Sequence, residues 1–155
     1  MEQVLKACSI LAEHHYTLDP AIRTLGEKRV PREGRVIASV RRFVRDVAAD
    51  WGAADGVPEV AELLVSELVT NAVAYGAGGV PYATSVRVVV GRERELLVVE
   101  VYDSCVTIPR MRRAGDADAS GRGLAIVDTL AHAWGWTPNP HGKSVWFQLA
   151  AWPPD

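Results

Sequence analysis

The chain has 155 residues, 48% hydrophobic and 23% charged, a composition that fits one globular domain with a real core and excludes a disordered chain. Its 17 basic and 19 acidic residues leave a net charge of -2, which excludes a general basic grip on nucleic acid, and no apolar run approaches the roughly 18 residues of a membrane span. Two cysteines, Cys8 and Cys105, without a CxxC pair, exclude a disulfide scaffold and fit a reducing compartment. The stretch from Val4 to Ala12 is interrupted by Lys6 and Ser9 and lacks a cleavage-type ending, so the expectation is a cytoplasmic protein without a signal peptide.

In chain order, Val4, Cys8, Leu11 and His15 fall at helical spacing and predict a short amphipathic helix over residues 2–15. Asp19 followed by Pro20 reads as an N-cap and first helical position, with Gly26 as a stop, predicting a second short helix. Residues 1–29 are therefore expected to form a helical extension, and residues 30–155 the main domain. The clearest helix follows Pro31: Val36, Val40, Phe43, Val47 and Trp51 recur every three or four residues, and Gly52 ends it. Arg35, Arg41, Arg42 and Arg45 occupy its other faces, as a solvated surface or a docking or dimer surface. A further helix runs from Val57 to about Tyr75, stopped by Gly76.

Two apolar runs, 84–90 and 96–102, separated by the tip 91–95, predict an antiparallel hairpin. The segment 104–120 lacks periodicity and reads as a long functional loop. Gly121-Arg122-Gly123 opens another helix, with Leu124, Val127, Leu130, Ala131 and Trp134 assigned to one face, and strands near 133–137 and 144–150 close the chain. The order predicts an α/β (α+β) protein: a two-layer sandwich of a mainly antiparallel mixed sheet with helices on one face.

Several short patterns fail. Gly142-Lys143-Ser144 is not a P-loop, because residue 137 is threonine where the first glycine belongs and a strand follows. Gly121-Arg122-Gly123 is not a dinucleotide fingerprint, since Ile126 takes the third glycine's place. The four histidines have no zinc-site spacing, and nothing in the spacing brings Cys105 to a histidine.

One constellation survives. Glu67 and Asn71 are four residues apart on the helix 57–75, hence on one face. Asp103 ends the second hairpin strand as a short acidic acceptor. Ser120-Gly121-Arg122-Gly123-Leu124 places two glycines where a loop enters a helix, a geometry that lets backbone N–H groups converge on an anion. Ser144 brings a hydroxyl to the start of the last strand. Taken singly, each has an ordinary reading as a solvated face, a turn aspartate or a helix cap.

In this order they resemble the nucleotide-binding motifs of the GHKL ATPases, and more closely those of the anti-sigma-factor serine kinases and their actinobacterial histidine-kinase-like ATPase relatives. The resemblance is carried by Ser66-Glu67-Leu68-Val69-Thr70-Asn71-Ala72-Val73, Val101-Tyr102-Asp103-Ser104, Gly121-Arg122-Gly123-Leu124-Ala125-Ile126-Val127-Asp128 and Gly142-Lys143-Ser144-Val145-Trp146-Phe147, and covers about residues 30–152. It implies a Bergerat-type ATP-binding fold with ATP and Mg²⁺ as ligands. Asn71 would ligate the metal, Glu67 would act as general base, and Asp103 would accept from the adenine amine. Gly121, Arg122, Gly123 and Leu124 would wrap the phosphates, Ser144 would support Asp103, and 104–120 would be the lid. Two departures stand out: Asp103 is followed by Ser104-Cys105 rather than x-Gly, and Tyr75 stands near where the kinases commonly carry histidine.

The resemblance implies a serine/threonine kinase of the anti-sigma type, which binds a sigma factor, phosphorylates an anti-anti-sigma (STAS) partner, and forms a homodimer without touching nucleic acid or membrane. Whether it is an enzyme stays open: a nucleotide-switched binding module without kinase activity, or an interaction protein that has lost nucleotide, fits the same motifs.

Overall fold

The structure is a computed structural model and describes residues 22–75, 85–103, 123–139 and 142–154. In chain order the described elements are β1 (Arg23–Pro31), a 3-10 turn (Gly34–Val36), α1 (Ile37–Asp50), α2 (Val57–Tyr75), β2 (Ser85–Glu93), β3 (Leu96–Asp103), α3 (Gly123–Leu130), β4 (Ala133–Asn139) and β5 (Gly142–Ala150). The strands form one sheet in the order β1-β2-β3-β5-β4, and each of the four described pairings is antiparallel.

Alternation along the strands decides which face the helices cover. Val86, Val88 and Val90 of β2, Leu97, Val99 and Val101 of β3, and Val145, Phe147 and Leu149 of β5 all point into the same apolar core. They meet Val40, Val44 and Ala48 of α1, Leu64, Val65, Leu68 and Val69 of α2, and Leu124 and Val127 of α3. The architecture is thus a two-layer α+β sandwich with the helices on one face, as expected. The β2–β3 hairpin turns at Arg94 and Glu95, with Arg94 at φ 55, so β2 runs on to Glu93, further toward the tip than its hydrophobic run alone suggests, while β3 begins at Leu96 as expected.

α1 and α2 are clamped at their outer edge. Arg41 and Arg45 each reach a carboxylate oxygen of Glu62 at 3.4 Å, so part of the arginine face serves this chain's own packing. Each such half-exposed pair contributes at most about 1 kcal/mol. The C-terminal residues join in from the other end: the Trp152 indole N–H donates to the Trp51 carbonyl at 2.9 Å, and Arg92 stacks over the Trp152 ring at 4.2 Å. Among the described residues no helix is long and apolar enough to cross a membrane.

One expectation is overturned. The short helix read from Asp19-Pro20 to Gly26 does not exist over its described part: residues 23–31 form strand β1, paired with β2 across the 29/30 boundary. The cap signal was local, whereas pairing with β2 satisfies backbone groups over eight register positions. Gly26 fits because its missing Cβ would lie 3.1 Å from Val47 and 3.2 Å from Phe43 of α1. Trp134 also moves: it belongs to β4 rather than to the helix before it, and its indole N–H donates back to Asp128 of α3 at 3.1 Å. The amphipathic helix expected over 2–15 and the loop expected over 104–120 lie outside the described residues.

Candidate nucleotide site

α2 is apolar over most of its circumference, and this explains why its polar residues matter. Leu64, Val65, Leu68, Val69 and Ala72 are buried against the sheet and its neighbours. Glu67 and Asn71, one turn apart, are left half-buried at the border of that core. Between them Thr70 donates its hydroxyl to the Ser66 carbonyl at 2.6 Å, spending its polarity on the helix itself. Burial raises the Glu67 carboxyl above its ordinary value. A carboxylate shifted in that direction is a better proton acceptor near neutral pH.

α2 packs against β3, β5 and α3. At the end of β3 stands Asp103, 8% exposed and on the helix-facing side with Val101 and Val99. The register sets Lys143 directly opposite it on β5, and the Lys143 ammonium donates to Asp103 Oδ1 at 3.1 Å. Ser144, equally buried, is opposite Tyr102. Strand alternation therefore turns Ser144 toward the other face of the sheet, and the group that touches Asp103 is Lys143. Sequence reasoning missed this lysine. It stands in the rejected Gly142-Lys143-Ser144 pattern and in the last-strand motif without a role in either, and a one-residue choice of register leaves no local signal.

The segment expected to bind an anion, residues 121–124, is described only in part. Gly121 and Arg122 lie outside the described residues. Gly123 opens α3, and Leu124 is 3% exposed with its side chain in the core, so that side chain anchors the helix start. Any contact of Leu124 with a ligand falls to its backbone.

The donor set suits a metal that arrives with its own oxygens. Among the described residues no three His, Cys, Asp or Glu side chains converge as a metal cage. An amide such as Asn71 supplies one oxygen, and magnesium characteristically takes one or two protein ligands, with phosphates and waters completing the shell. The site thus presents a buried acidic acceptor at a sheet end, a raised carboxyl and an amide on the neighbouring helix, and a glycine-led helix start.

The model of the histidine kinase-like ATPase domain matches residues 30–149. The chain belongs to this family. Among solved structures, the histidine kinase domain of the blue-light activated histidine kinase from Erythrobacter litoralis EL346 is similar at 21% identity and a TM-score of 0.44, covering 96% of this chain and 73% of that one. No curated protein matches. The match begins inside β1 at Val30 and ends at Leu149 of β5, so it spans all three described helices and strands β2 to β4, with β5 up to its penultimate residue.

Proposed function

We propose that this histidine kinase-like ATPase domain is an Mg-ATP-binding regulatory protein. The observation that carries the reading is the placing of Glu67 and Asn71, half-buried and one turn apart, on the helix that packs on the strand ending in buried Asp103. Asp103 accepts from the exocyclic amine of the base. Lys143 donates to one of its oxygens and orients the carboxylate. Asn71 offers its amide oxygen to the metal that accompanies the phosphates. Gly121, Arg122, Gly123 and Leu124 supply backbone N–H groups, and the arginine a charge, to the phosphate oxygens.

The activity proposed for the site is phosphoryl transfer to a serine or threonine hydroxyl of a STAS-type partner, in a protein that also holds a sigma factor. Glu67 takes the hydroxyl proton as the oxygen attacks the terminal phosphorus, and the nucleoside diphosphate leaves. Its desolvated carboxyl is suited to that exchange. The proposed setting is the cytoplasm, and the proposed assembly a homodimer. One observation favours the second reading, a nucleotide-switched module without transfer: Asp103 already carries a buried cationic partner, which competes with the base for the acceptor.

Calorimetric titration of ATP and ADP, with and without Mg²⁺, tests the binding. Mg-dependent affinity that is lost in Asn71→Ala with the fold intact supports the site. Silence at millimolar nucleotide overturns it. Transfer of radiolabelled γ-phosphate to a STAS protein, abolished in Glu67→Ala, separates the kinase from the switch.

A further inference from the structure

The face of the sheet opposite the helices is buried where a two-layer sandwich leaves it open. Val98 of β3 and Trp146 of β5 are 1% and 0% exposed, yet both stand outside the apolar core that the three helices form. The register explains this: Val98 alternates with Leu97 and Val99, and Trp146 with Val145 and Phe147, so both side chains point away from the helices. They form a patch with Gly91, which pairs with Val98, and Gly135, which pairs with Trp146, and both glycines are buried as well. A tryptophan on a bare sheet face keeps much of its large ring in water, so a further layer covers this one.

The chain itself points to the occupant. Ile22, the residue before β1, puts its Cγ2 only 2.6 Å from where a Cβ on Gly91 would be, so the chain arrives at β1 from over this open face, beside Val98. Upstream of Ile22 lie 21 residues, among which the apolar Val4, Cys8 and Leu11 fall on one helical face, with His15 continuing the spacing. As an α-helix the stretch 2–15 measures about 21 Å, which matches the roughly 19 Å between the outer strands of a five-stranded sheet. Gly91 gives room for Ile22, and Gly135, beside Trp146, leaves no side chain of its own in the way of such a helix.

We propose that the N-terminal segment of this chain docks across the open face of its own sheet, seating its apolar stripe on Val98 and Trp146 and making the domain a three-layer sandwich. The polar residues at the rim agree. Burial raises the Glu100 carboxyl, against the lowering effects of the Tyr102 hydroxyl and Arg87, as expected for a carboxylate removed from water on this face.

Paramagnetic broadening tests the placement in the full chain. A nitroxide is attached at Glu13→Cys, on the polar side of the segment, in a background of Cys8→Ala and Cys105→Ser. The expected result is loss of the amide signals of Val98, Gly135 and Trp146 with those of α1 retained. Uniformly weak broadening over the sheet overturns the proposal. Broadening that appears only when the nitroxide is carried by a second, isotopically unlabelled copy also overturns it, and gives the face to a neighbouring molecule instead.

Discussion

Lys143 and Asp103 form an ion pair at 3.1 Å across the β3–β5 register, with 8% and 4% of their side chains exposed. Two opposite charges so far from water are held by each other and by the hydrogen bonds around them. Removing one leaves the other buried without its main counter-charge. Lys143→Met is therefore expected to destabilise the domain by about 3–5 kcal/mol, while Lys143→Met combined with Asp103→Asn recovers much of the loss. Urea unfolding of the two single variants and the double variant checks this. Additive losses would show that the two charges do not depend on each other.

Glu67 has the opposite electrostatic character, since burial opposes its charge without a described partner to offset it. Its folded-state pKa is raised above the unfolded value, so the folded chain holds the proton more tightly. The resulting penalty is absent below the unfolded pKa and fully present once pH has risen above the folded one. Glu67→Gln is expected to raise the melting temperature at pH 7, with the difference from wild type vanishing as pH falls below the ordinary glutamate value of about 4.3. Thermal unfolding across that range decides it. A constant difference at all pH values would assign the effect to packing.

The Tyr102 hydroxyl donates to Glu100 at 2.5 Å, and Arg87 stacks over the same ring at 4.1 Å. Desolvation is the largest influence on Glu100 and raises its pKa, while the tyrosine hydrogen bond lowers it. Tyr102→Phe removes the lowering contribution, so the Glu100 carboxyl titrates at still higher pH. Carbon-detected NMR titration of the side chain reads this directly, and a downward movement would contradict the geometry.

Two glycines separate steric need from backbone freedom. A Cβ at Gly91 meets Ile22 at 2.6 Å and the Arg23 carbonyl at 3.1 Å, whereas nothing lies within 4 Å of one at Gly34. Gly91→Ala is expected to cost about 1–3 kcal/mol by overpacking. Gly34→Ala should be neutral or stabilise by a few tenths of a kcal/mol through the unfolded chain. Equal effects in chemical denaturation would mean that β1 and its approach yield without strain.

Much of the fold was legible along the chain because its signals are local. The apolar stripe of α1, the glycine stops after α1 and α2, and the alternating runs of β2, β3 and β5 each report on a few neighbouring residues. Glu67 and Asn71 were legible for the same reason: a spacing of four on a helix already places two side chains on one face. β1 was not legible, because an exposed edge strand carries weak alternation and its formation depends on β2, more than fifty residues away. Lys143 was hidden in the same manner. Sequence alone offered Asp103 a hydroxyl from Ser144, and only the antiparallel register, set by packing along all of β3 and β5, put the lysine opposite the aspartate. Local spacing thus determined the elements and the helix-borne half of the site. Long-range strand pairing decided the edge of the sheet, which face each strand residue takes, and the charge that Asp103 meets, since a shift of one residue in register exchanges the two faces.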